Sequence, residues 1–393
     1  MYFKRKIEEK IRTQFDNEQA IIVTGMRRSG KTTLLRKLYN DLSNNKVWFD
    51  FENPLDVKQF EDIDYNDIYQ NIINVGRLDE HRRIYVFVDE VQFFPEISKI
   101  VKYLIDHYKI KFILTGSASY YLKNLFPESL AGRKILFELF PLDFEEFLTF
   151  RQADVRTFKK LQRKTAIKEV EYELFDKLYE EFLTWGGFPR VVLEKDVQQK
   201  ELLLKDIFSS YFQKEILALA DYKKNAKVRD LILLLAPRVG SQLDLVKISQ
   251  ELQITRTTVY SYLSFLQATY FIHLLSPFSK SVDREVSGMQ KIYFCDNGIL
   301  KIMANLNDGQ FLENAIYNQL HHHGQLNYYR TKNGGEIDFI VDKKQAYEVK
   351  TTATPSDVVN LNRKTATLKL INGYLISKNW LPNFEQTILG QFI

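Results

Sequence analysis

The amino-acid sequence predicts an α/β protein whose first 150 residues form a parallel β-sheet sandwiched between helices. Apolar segments typical of buried strands alternate here with segments that carry apolar residues at helical spacing. The segment RIYVFVDE is apolar almost throughout and ends in two carboxylates, as expected of a strand covered on both faces. Another apolar run ends at Thr24 and continues directly into a glycine-rich loop. Because ligands of parallel sheets bind at the carboxyl ends of the strands, the same region predicts a ligand site.

Five apolar segments account for the predicted sheet. They are AIIVT (residues 20–24), KVWFDFENP (46–54), RIYVFVD, KFILTG and KILFEL (134–139). The first is followed by a helix from about Lys31, in which leucines recur at helical spacing. The sequence therefore predicts strand–helix alternation over the whole of residues 1–150.

Composition limits the classes of function that are open to the chain. The 393 residues are 45% hydrophobic and 27% charged, which is typical of a globular chain of two or three domains. No apolar run approaches the roughly 18 residues that a membrane span needs, and the charged N-terminal segment has no signal-peptide core. The single cysteine, Cys295, excludes an internal disulfide and fits a reducing compartment. We therefore expect a cytoplasmic protein without membrane contact. The net charge of +5 permits nucleic acid as a partner but does not require it.

The glycine-rich loop has the form G-x-x-x-x-G-K-[ST], which predicts a phosphate site for ATP with Mg²⁺. Its two glycines let backbone N–H groups face the phosphates at the positive end of a helix. Lys31 can reach the β- and γ-phosphates, and the Thr32 hydroxyl can bind Mg²⁺. The predicted nucleotide-binding residues are Gly25, Arg28, Ser29, Gly30, Lys31, Thr32 and Thr33.

The two carboxylates that end RIYVFVDE predict hydrolysis as well as binding. Asp89 would hold Mg²⁺ through water, and Glu90 would act as the general base on the attacking water. The alternative is a pair of solvated acids at the end of a strand. With Lys31, these residues form the centre of the predicted catalytic site.

Two further residues are candidates for catalysis. Ser117, at the end of KFILTGS, could sense the γ-phosphate, or it could simply cap the following helix. Arg133 precedes the fifth strand and could complete a neighbouring subunit's site as an arginine finger, or it could be an ordinary surface arginine. An arginine shared between subunits would make the protein a homo-oligomer.

The order of these motifs resembles that of a known ATPase family. The phosphate loop is followed by VFVDE, LTGSAS, LAGR and FELFPLDFEEF, as in AAA-family ATPases of the archaeal type, within the AAA-plus group, that carry an accessory C-terminal domain. The segments GGFPRVV (186–192) and KIYFCDNGIL (291–300) are similar to hallmark segments of that accessory region. The resemblance covers the whole chain and implies a P-loop AAA-type ATPase core over residues 1–150.

The middle of the chain predicts a helical lid or connector (151–225) followed by a winged helix-turn-helix (226–300). A helix at 245–252, a short turn and a second helix from Arg256 precede the strand-like residues 270–275, which is the order of a winged helix. The start of the second helix would offer its exposed side chains to DNA. These residues are Arg256, Thr257, Thr258 and Tyr260. A module that packs against protein instead is the alternative.

The last segment (301–393) resembles the PD-(D/E)-x-K nuclease fold, a restriction-endonuclease-like α/β domain. Glu313 lies on a predicted helix, Asp338 on a predicted strand, and Glu348 and Lys350 on the next strand. Residues i and i+2 of a strand share a face, so Glu348 and Lys350 project together. The resemblance implies a divalent-metal site at these residues, although domains of this shape also bind nucleic acid or partners without cutting.

Together these segments predict a Mg²⁺-dependent ATPase that drives or switches action on branched or broken DNA, with recognition of DNA structure rather than sequence. One alternative is a metal-dependent DNA nuclease that ATP licenses. The other is a nucleotide-controlled signalling or scaffold protein that binds protein partners.

Overall fold

The computed structural model of the chain describes residues 2–43, 45–116, 132–216, 222–279, 281–331, 334–382 and 386–393. The chain divides into two compact units. The first contains residues 1–140 together with Ala268–Tyr270, and the second contains residues 141–267 and 271–393. The finer division at residues 150, 225 and 300 stays a prediction.

The first unit is built on a five-stranded sheet in which every strand is parallel to its neighbours, in the order β2-β3-β4-β1-β5. The strands are β1 (Ala20–Thr24), β2 (Lys46–Asp50), β3 (Tyr85–Asp89), β4 (Lys111–Gly116) and β5 (Lys134–Glu138). The helices are α1 (Ile7–Arg12), α2 (Lys31–Asp41), α3 (Pro54–Val57), α4 (Tyr65–Gly76) and α5 (Ile97–Tyr108). The parallel α/β sheet predicted from the sequence is thus confirmed.

The sheet is covered on both faces because successive residues of a strand point to opposite sides. In β1, Ile22 packs into a cluster with residues of α4 and α5, whereas Ile21 and Val23 pack into a second cluster with residues of α1 and α2. All five residues of β1 are buried, which explains why this strand is apolar throughout.

The second unit contains the remaining helices and strands. Its helices are α6 (Phe144–Phe150), α7 (Val155–Gln162), α8 (Glu169–Trp185), α9 (Pro189–Leu193), α10 (Val197–Tyr211), α11 (Tyr222–Leu235), α12 (Leu245–Leu252), α13 (Arg256–Ala268), α14 (Val282–Ser287), α15 (Asn297–Met303), α16 (Asp308–Leu320) and α17 (Pro355–Leu368). Its strands are β6 (Ile272–Leu275), β7 (Lys291–Phe294), β8 (Leu326–Arg330), β9 (Glu336–Val341), β10 (Gln345–Lys350), β11 (Asn372–Ser377) and β12 (Thr387–Leu389). Within the described ranges, no helix has both the length and the apolar character that crossing a bilayer requires.

The middle of this unit is helical. Helices α12 and α13 are joined by a short turn in which Gln253 has a φ of 53°. The antiparallel pair β6–β7 follows α13, and Gln242 forms an isolated bridge with Lys291 at the edge of this pair. The strand predicted from residue 270 begins at Ile272 because Tyr270 has a left-handed backbone, with a φ of 62°.

A mixed five-stranded sheet forms the C-terminal part of the second unit, in the order β12-β11-β10-β9-β8. Strands β10, β11 and β12 are parallel, whereas β8, β9 and β10 pair in antiparallel fashion. Helix α17 makes the crossover between the parallel strands β10 and β11. This arrangement places Asp338 and Glu348 on neighbouring strands.

Candidate functional site

The glycine-rich loop turns sharply between β1 and α2. Gly25, Arg28 and Gly30 all have positive φ angles, of 148°, 66° and 102°. A Cβ atom at Gly25 would lie 2.1 Å from the Leu139 carbonyl oxygen, so only glycine fits there. Helix α2 starts at Lys31 without a side-chain cap, which leaves its first N–H groups for an anion. The loop therefore has the geometry of a phosphate cradle.

Polar groups inside the loop fit the phosphate of a nucleotide. The buried Lys31 ammonium donates to the carbonyl oxygens of Gly25 (2.9 Å) and Met26 (3.0 Å). The hydroxyls of Thr24 and Ser29 are buried without a hydrogen-bond partner in the described part of the chain. Buried hydroxyls of this kind need an acceptor or donor, which phosphate oxygens and their water would supply.

Arg5 is a residue of this site that the sequence pattern did not predict. Its guanidinium is 6% exposed and donates to the Ser29 carbonyl oxygen at 2.9 Å and to the Phe140 carbonyl oxygen at 2.8 Å. Arg5 therefore ties the phosphate loop to the segment that follows β5. We assign it as a positioning residue, since it contacts the loop backbone.

Replacing Arg5 with alanine is expected to raise the KM for ATP about tenfold, the equivalent of ~1.4 kcal/mol. The loop loses a buried anchor, whereas the groups that act on the attacking water remain in place. Arg5→Lys should recover part of the loss because one ammonium can still reach a carbonyl. Steady-state kinetics would separate KM from kcat.

Arg12→Ala is the matched control for Arg5, because Arg12 lies in the same N-terminal segment and pairs with the carboxylates of Glu8 and Asp41 instead of the phosphate loop. Equal increases of KM in both variants would contradict the anchoring role of Arg5.

The end of β3 fits a magnesium ion of a bound nucleotide. Asp89 is 3% exposed and accepts hydrogen bonds from the Thr115 and Thr32 hydroxyls. Burial raises the pKa of Asp89, and the two hydroxyl contacts act in the opposite direction. A carboxylate beside a hydroxyl is an oxygen donor set of the type that Mg²⁺ prefers, so Thr32 and Asp89 would hold the ion.

Glu90 follows Asp89 in a strained backbone conformation with a φ of 55°. Its N–H donates to the Thr115 hydroxyl at 3.3 Å, and its carboxylate accepts a hydrogen bond from the Gln92 amide. Strained backbone of this kind is common at catalytic residues. The half-buried carboxylate stands directly after the proposed Mg²⁺ ligand, as a general base would.

Other predicted residues of the ATP site are placed differently. Arg133 lies at the surface and its Nε donates to Asp106 at 2.6 Å within the same chain. Arg28 and Thr33 are exposed. Ser117 lies outside the described residues. The roles assigned to these side chains stay predictions.

The second unit brings two of the predicted nuclease-like residues together around a lysine. The Lys291 ammonium, on β7, lies 3.1 Å from Glu313 Oε1 of α16 and 3.6 Å from Asp338 Oδ1 of β9. It also forms an ion pair with Glu336, on the same face of β9 as Asp338. Lys291 is 2% exposed. We name these four side chains the Lys291 cluster.

Glu348 and Lys350 form an ion pair with each other. Lys350 Nζ lies 3.0 Å from Glu348 Oε1, and Lys364 of α17 lies 2.7 Å from Glu348 Oε2. Asp338 accepts the Val349 N–H at 2.8 Å, which links the two groups of charges across β9 and β10. The structure thus places all four predicted residues on the expected elements and gives each carboxylate a lysine partner.

Burial and neighbouring charges shift the ionisation of these groups. Burial raises the pKa of Asp338, the Glu313 carboxylate raises it further, and Lys291 lowers it. For Lys291, burial lowers the pKa, but the carboxylates Glu313, Asp338 and Glu336 outweigh it and hold the pKa above its ordinary value. The ammonium therefore stays charged inside the protein.

The start of α13 presents the predicted DNA-contacting residues to solvent. Arg256, Thr257 and Tyr260 are exposed, the last at 63%, and Thr258 is half-buried. Val259, on the opposite face, is fully buried. The amphipathic pattern of α13 leaves one polar face available for a ligand.

The two hallmark segments meet at Asp296. This fully buried carboxylate accepts the Gly187 N–H at 2.6 Å and caps α15 through the N–H groups of Gly298 (2.8 Å) and Ile299 (3.3 Å). A Cβ at Gly186 would lie 2.1 Å from Asp296 Oδ1. Burial raises the pKa of Asp296 to about 7. The glycines and the aspartate therefore act as one structural joint.

Comparison with known proteins assigns the parts of the chain. Residues 17–148 match a family described as "AAA domain". Residues 176–310 and 308–386 match families described as "Domain of unknown function (DUF8612)" and "Domain of unknown function (DUF4143)". Residues 17–148 are therefore similar to AAA-type ATPase domains, a similarity that indicates ATP binding and hydrolysis.

Similarity over most of the chain extends to proteins of bacteria and archaea. An uncharacterized protein of Haemophilus influenzae is 28% identical over 341 residues, which cover 84% of this chain and 80% of that protein. An uncharacterized protein of Methanocaldococcus jannaschii is 26% identical over 369 residues, or 89% of this chain and 80% of that protein. Among solved structures, the Walker-type ATPase of Pyrococcus abyssi matches with a TM-score of 0.45 and 16% identity, covering 77% of this chain and 96% of that chain.

Proposed function

We propose that this protein is a Mg²⁺-dependent ATPase whose hydrolysis cycle drives or switches its action on branched or broken DNA. The observation that carries the ATPase part is the group at the carboxyl edge of the first sheet. There the phosphate loop, Thr32, Asp89 and Glu90 converge through the hydrogen bonds of Asp89 and Thr115.

The residues of this edge divide the chemistry among them. The loop N–H groups and Lys31 bind the β- and γ-phosphates, with Lys31 leaving its loop carbonyls to do so. Glu90 accepts the proton of the attacking water, and Thr32 and Asp89 orient the Mg²⁺–nucleotide complex. The ion, when bound, neutralises the charge that develops on the phosphate oxygens.

We propose that the helices α11–α13 and the strands β6–β7 form a winged helix that contacts DNA. The polar face of α13 supports this proposal, because Arg256 and Tyr260 are both exposed near its N-terminal end. Contact with phosphates would make the affinity fall steeply as salt increases. We further propose that the mixed C-terminal sheet has the nuclease-like fold, because Glu313, Asp338 and Glu348 lie on its expected elements.

We also propose that the protein acts as a homo-oligomer in which Arg133 serves a neighbouring subunit. The ion pair between Arg133 and Asp106 is accessible to solvent, since the two side chains are 42% and 33% exposed. Exposed pairs contribute little stability, so the arginine can change partners at a small cost. Sedimentation of the protein with and without ATP would test assembly.

Steady-state ATP hydrolysis with and without single-stranded, duplex and four-way-junction DNA would test the proposed function. We expect branched DNA to raise the rate severalfold, and the raised rate to disappear in Glu90→Gln. If none of these DNAs changes the rate of Glu90-dependent hydrolysis, the DNA proposal fails. The protein is then a nucleotide-controlled scaffold for protein partners instead.

The double variant Arg256→Ala/Tyr260→Ala is expected to weaken binding to junction DNA at least tenfold, because it removes one cation and one aromatic contact from the face of α13. Fluorescence anisotropy at two salt concentrations would measure the loss. Lys205→Ala, which removes an exposed cation from α10, is the matched control. An unchanged affinity in the double variant would exclude α13 as the DNA contact.

A further inference from the structure

We propose that the Lys291 ammonium takes the place of the divalent cation in the nuclease-like domain, so that the Lys291 cluster is an internal ion-pair site and the domain binds no metal there and does not cut DNA. The proposal is independent of the proposed ATPase and DNA functions. It assigns a structural role to residues that the PD-(D/E)-x-K resemblance implies as metal ligands.

The position of the ammonium is the first argument. Lys291 Nζ is within 3.6 Å of carboxylates from two different elements, Glu313 of α16 and both acids of β9. A lysine that is 2% exposed must be paired, because an isolated buried charge is very costly. The three carboxylates of the cluster therefore already surround a cation, the Lys291 ammonium, at the point where a metal ion would bind.

Internal donors also reach two of these carboxylates. The Tyr293 hydroxyl, two residues beyond Lys291 on β7, donates to Glu313 Oε1 at 2.7 Å. Gly240 lets the Glu313 carboxylate lie close to the backbone, since a Cβ there would be 3.0 Å from both of its oxygens. Asp338 Oδ2 accepts the Val349 N–H. A metal would therefore compete with these donors for Glu313 Oε1 and Asp338 Oδ2.

The neighbouring ion pair follows the same arrangement. Glu348 lies between Lys350 and Lys364, and the Lys364 ammonium also donates to the Glu336 carbonyl oxygen at 2.6 Å. Three lysines therefore pair with four carboxylates, namely the three of the Lys291 cluster and that of Glu348. Magnesium requires close, near-octahedral oxygen ligands at roughly 2.0–2.1 Å. An ion at the centre of these acids would have to displace the Lys291 ammonium.

The residues present thus do not fit the metal centre that the nuclease resemblance implies. Among the described residues, no group of three or more His, Cys, Asp or Glu side chains is arranged to hold a metal ion. What the cluster does instead is join the β6–β7 pair, through Lys291, to α16 and to the C-terminal sheet. The alternative function of a metal-dependent nuclease that ATP licenses therefore has no metal site at these residues.

Manganese binding to the full-length protein without nucleotide tests this inference. The Asp89→Asn variant removes the carboxylate proposed for the ATP site, so any Mn²⁺ that it binds reports on other sites. We expect identical Mn²⁺ titrations, followed by electron paramagnetic resonance, for Asp89→Asn and for Asp89→Asn/Asp338→Asn. Mn²⁺ binding that disappears with Asp338→Asn, or Mn²⁺-dependent cleavage of junction DNA that disappears with it, would overturn the inference.

Lys291→Met supplies the complementary test. Without the ammonium the three carboxylates should accept a metal, so we expect a lower melting temperature that Mn²⁺ partly restores and at least tenfold tighter Mn²⁺ binding than in wild type. Lys378→Met is the matched control, because Lys378 is also buried and pairs with two acids, Glu180 and Asp308. It should lose stability without rescue by Mn²⁺. A folded Lys291→Met protein that gains no Mn²⁺ binding would contradict the assignment. If this variant does not fold, the comparison of Asp89→Asn with Asp89→Asn/Asp338→Asn decides.

Discussion

Replacing Glu90 with glutamine is expected to lower the kcat of ATP hydrolysis by about 10²–10⁴-fold while ATP still binds, which is the size of effect expected from the loss of a general base. Glutamine keeps the volume and can still contact Gln92, but it cannot accept the proton of the attacking water. The carboxylate of Asp89 and the phosphate loop are untouched, so the nucleotide site remains intact. Release of phosphate gives kcat, and the shift of the melting temperature with ATP and Mg²⁺ reports binding.

Glu96→Gln is the control for this variant, because Glu96 is an exposed glutamate that follows Glu90 by six residues in the sequence. It should hydrolyse ATP at the wild-type rate. If Glu90→Gln retained more than about a tenth of the wild-type kcat, the general-base assignment would be wrong and the attacking water would need another acceptor.

Local patterns predicted the elements of the ATP site well. Strand β1 and the start of α2 lie where the sequence placed them, because an apolar run and a glycine-rich turn are properties of residues that are adjacent in sequence. The same holds for α12, which spans Leu245–Leu252 as expected. Asp338 and Glu348 also fall on neighbouring strands as the spacing predicts.

Arg5 and Lys291 escaped prediction for a common physical reason. Each is a charged side chain buried to more than nine-tenths. Charged residues are rarely buried unless they are paired, and their partners here are distant in sequence. Arg5 contacts the Ser29 and Phe140 carbonyl oxygens, and Lys291 contacts acids up to 47 residues away. Only the tertiary fold supplies those partners.

Asp296 lies, like Lys291, in a segment that the sequence singled out. Both GGFPRVV and KIYFCDNGIL were similar to hallmark segments of the accessory region, but similarity alone did not show that they contact each other. The contact explains why two glycines precede a proline in the first segment. The Gly187 carbonyl oxygen accepts the Leu142 N–H, and the backbone leaves no space for a Cβ at Gly187, which would lie 2.2 Å from the Leu142 carbonyl oxygen.

Replacing Asp296 with alanine is therefore expected to lower the free energy of unfolding by roughly 1.5–5 kcal/mol. The loss combines a helix cap, worth roughly 0.5–2 kcal/mol, with the buried Gly187 N–H left without an acceptor, at roughly 1–3 kcal/mol. Urea unfolding followed by circular dichroism would measure it. Asp283→Ala, an exposed aspartate in the first turn of α14, is the matched control and should change stability little. Equal unfolding curves for wild type and Asp296→Ala would contradict the role of this joint.

The pH dependence of the same joint has a defined sign. Burial raises the pKa of Asp296 to about 7, whereas its ordinary value is 3.8, so between these pH values the folded state holds a proton that the unfolded chain has released. The stability that this proton contributes is complete below the unfolded pKa and is lost as pH rises through about 7. Asp296→Asn cannot ionise, so the stability advantage of wild type over this variant should shrink between pH 5 and pH 8. An advantage that grows over this range would show that Asp296 is ionised in the folded protein and that its N–H donors outweigh the effect of burial.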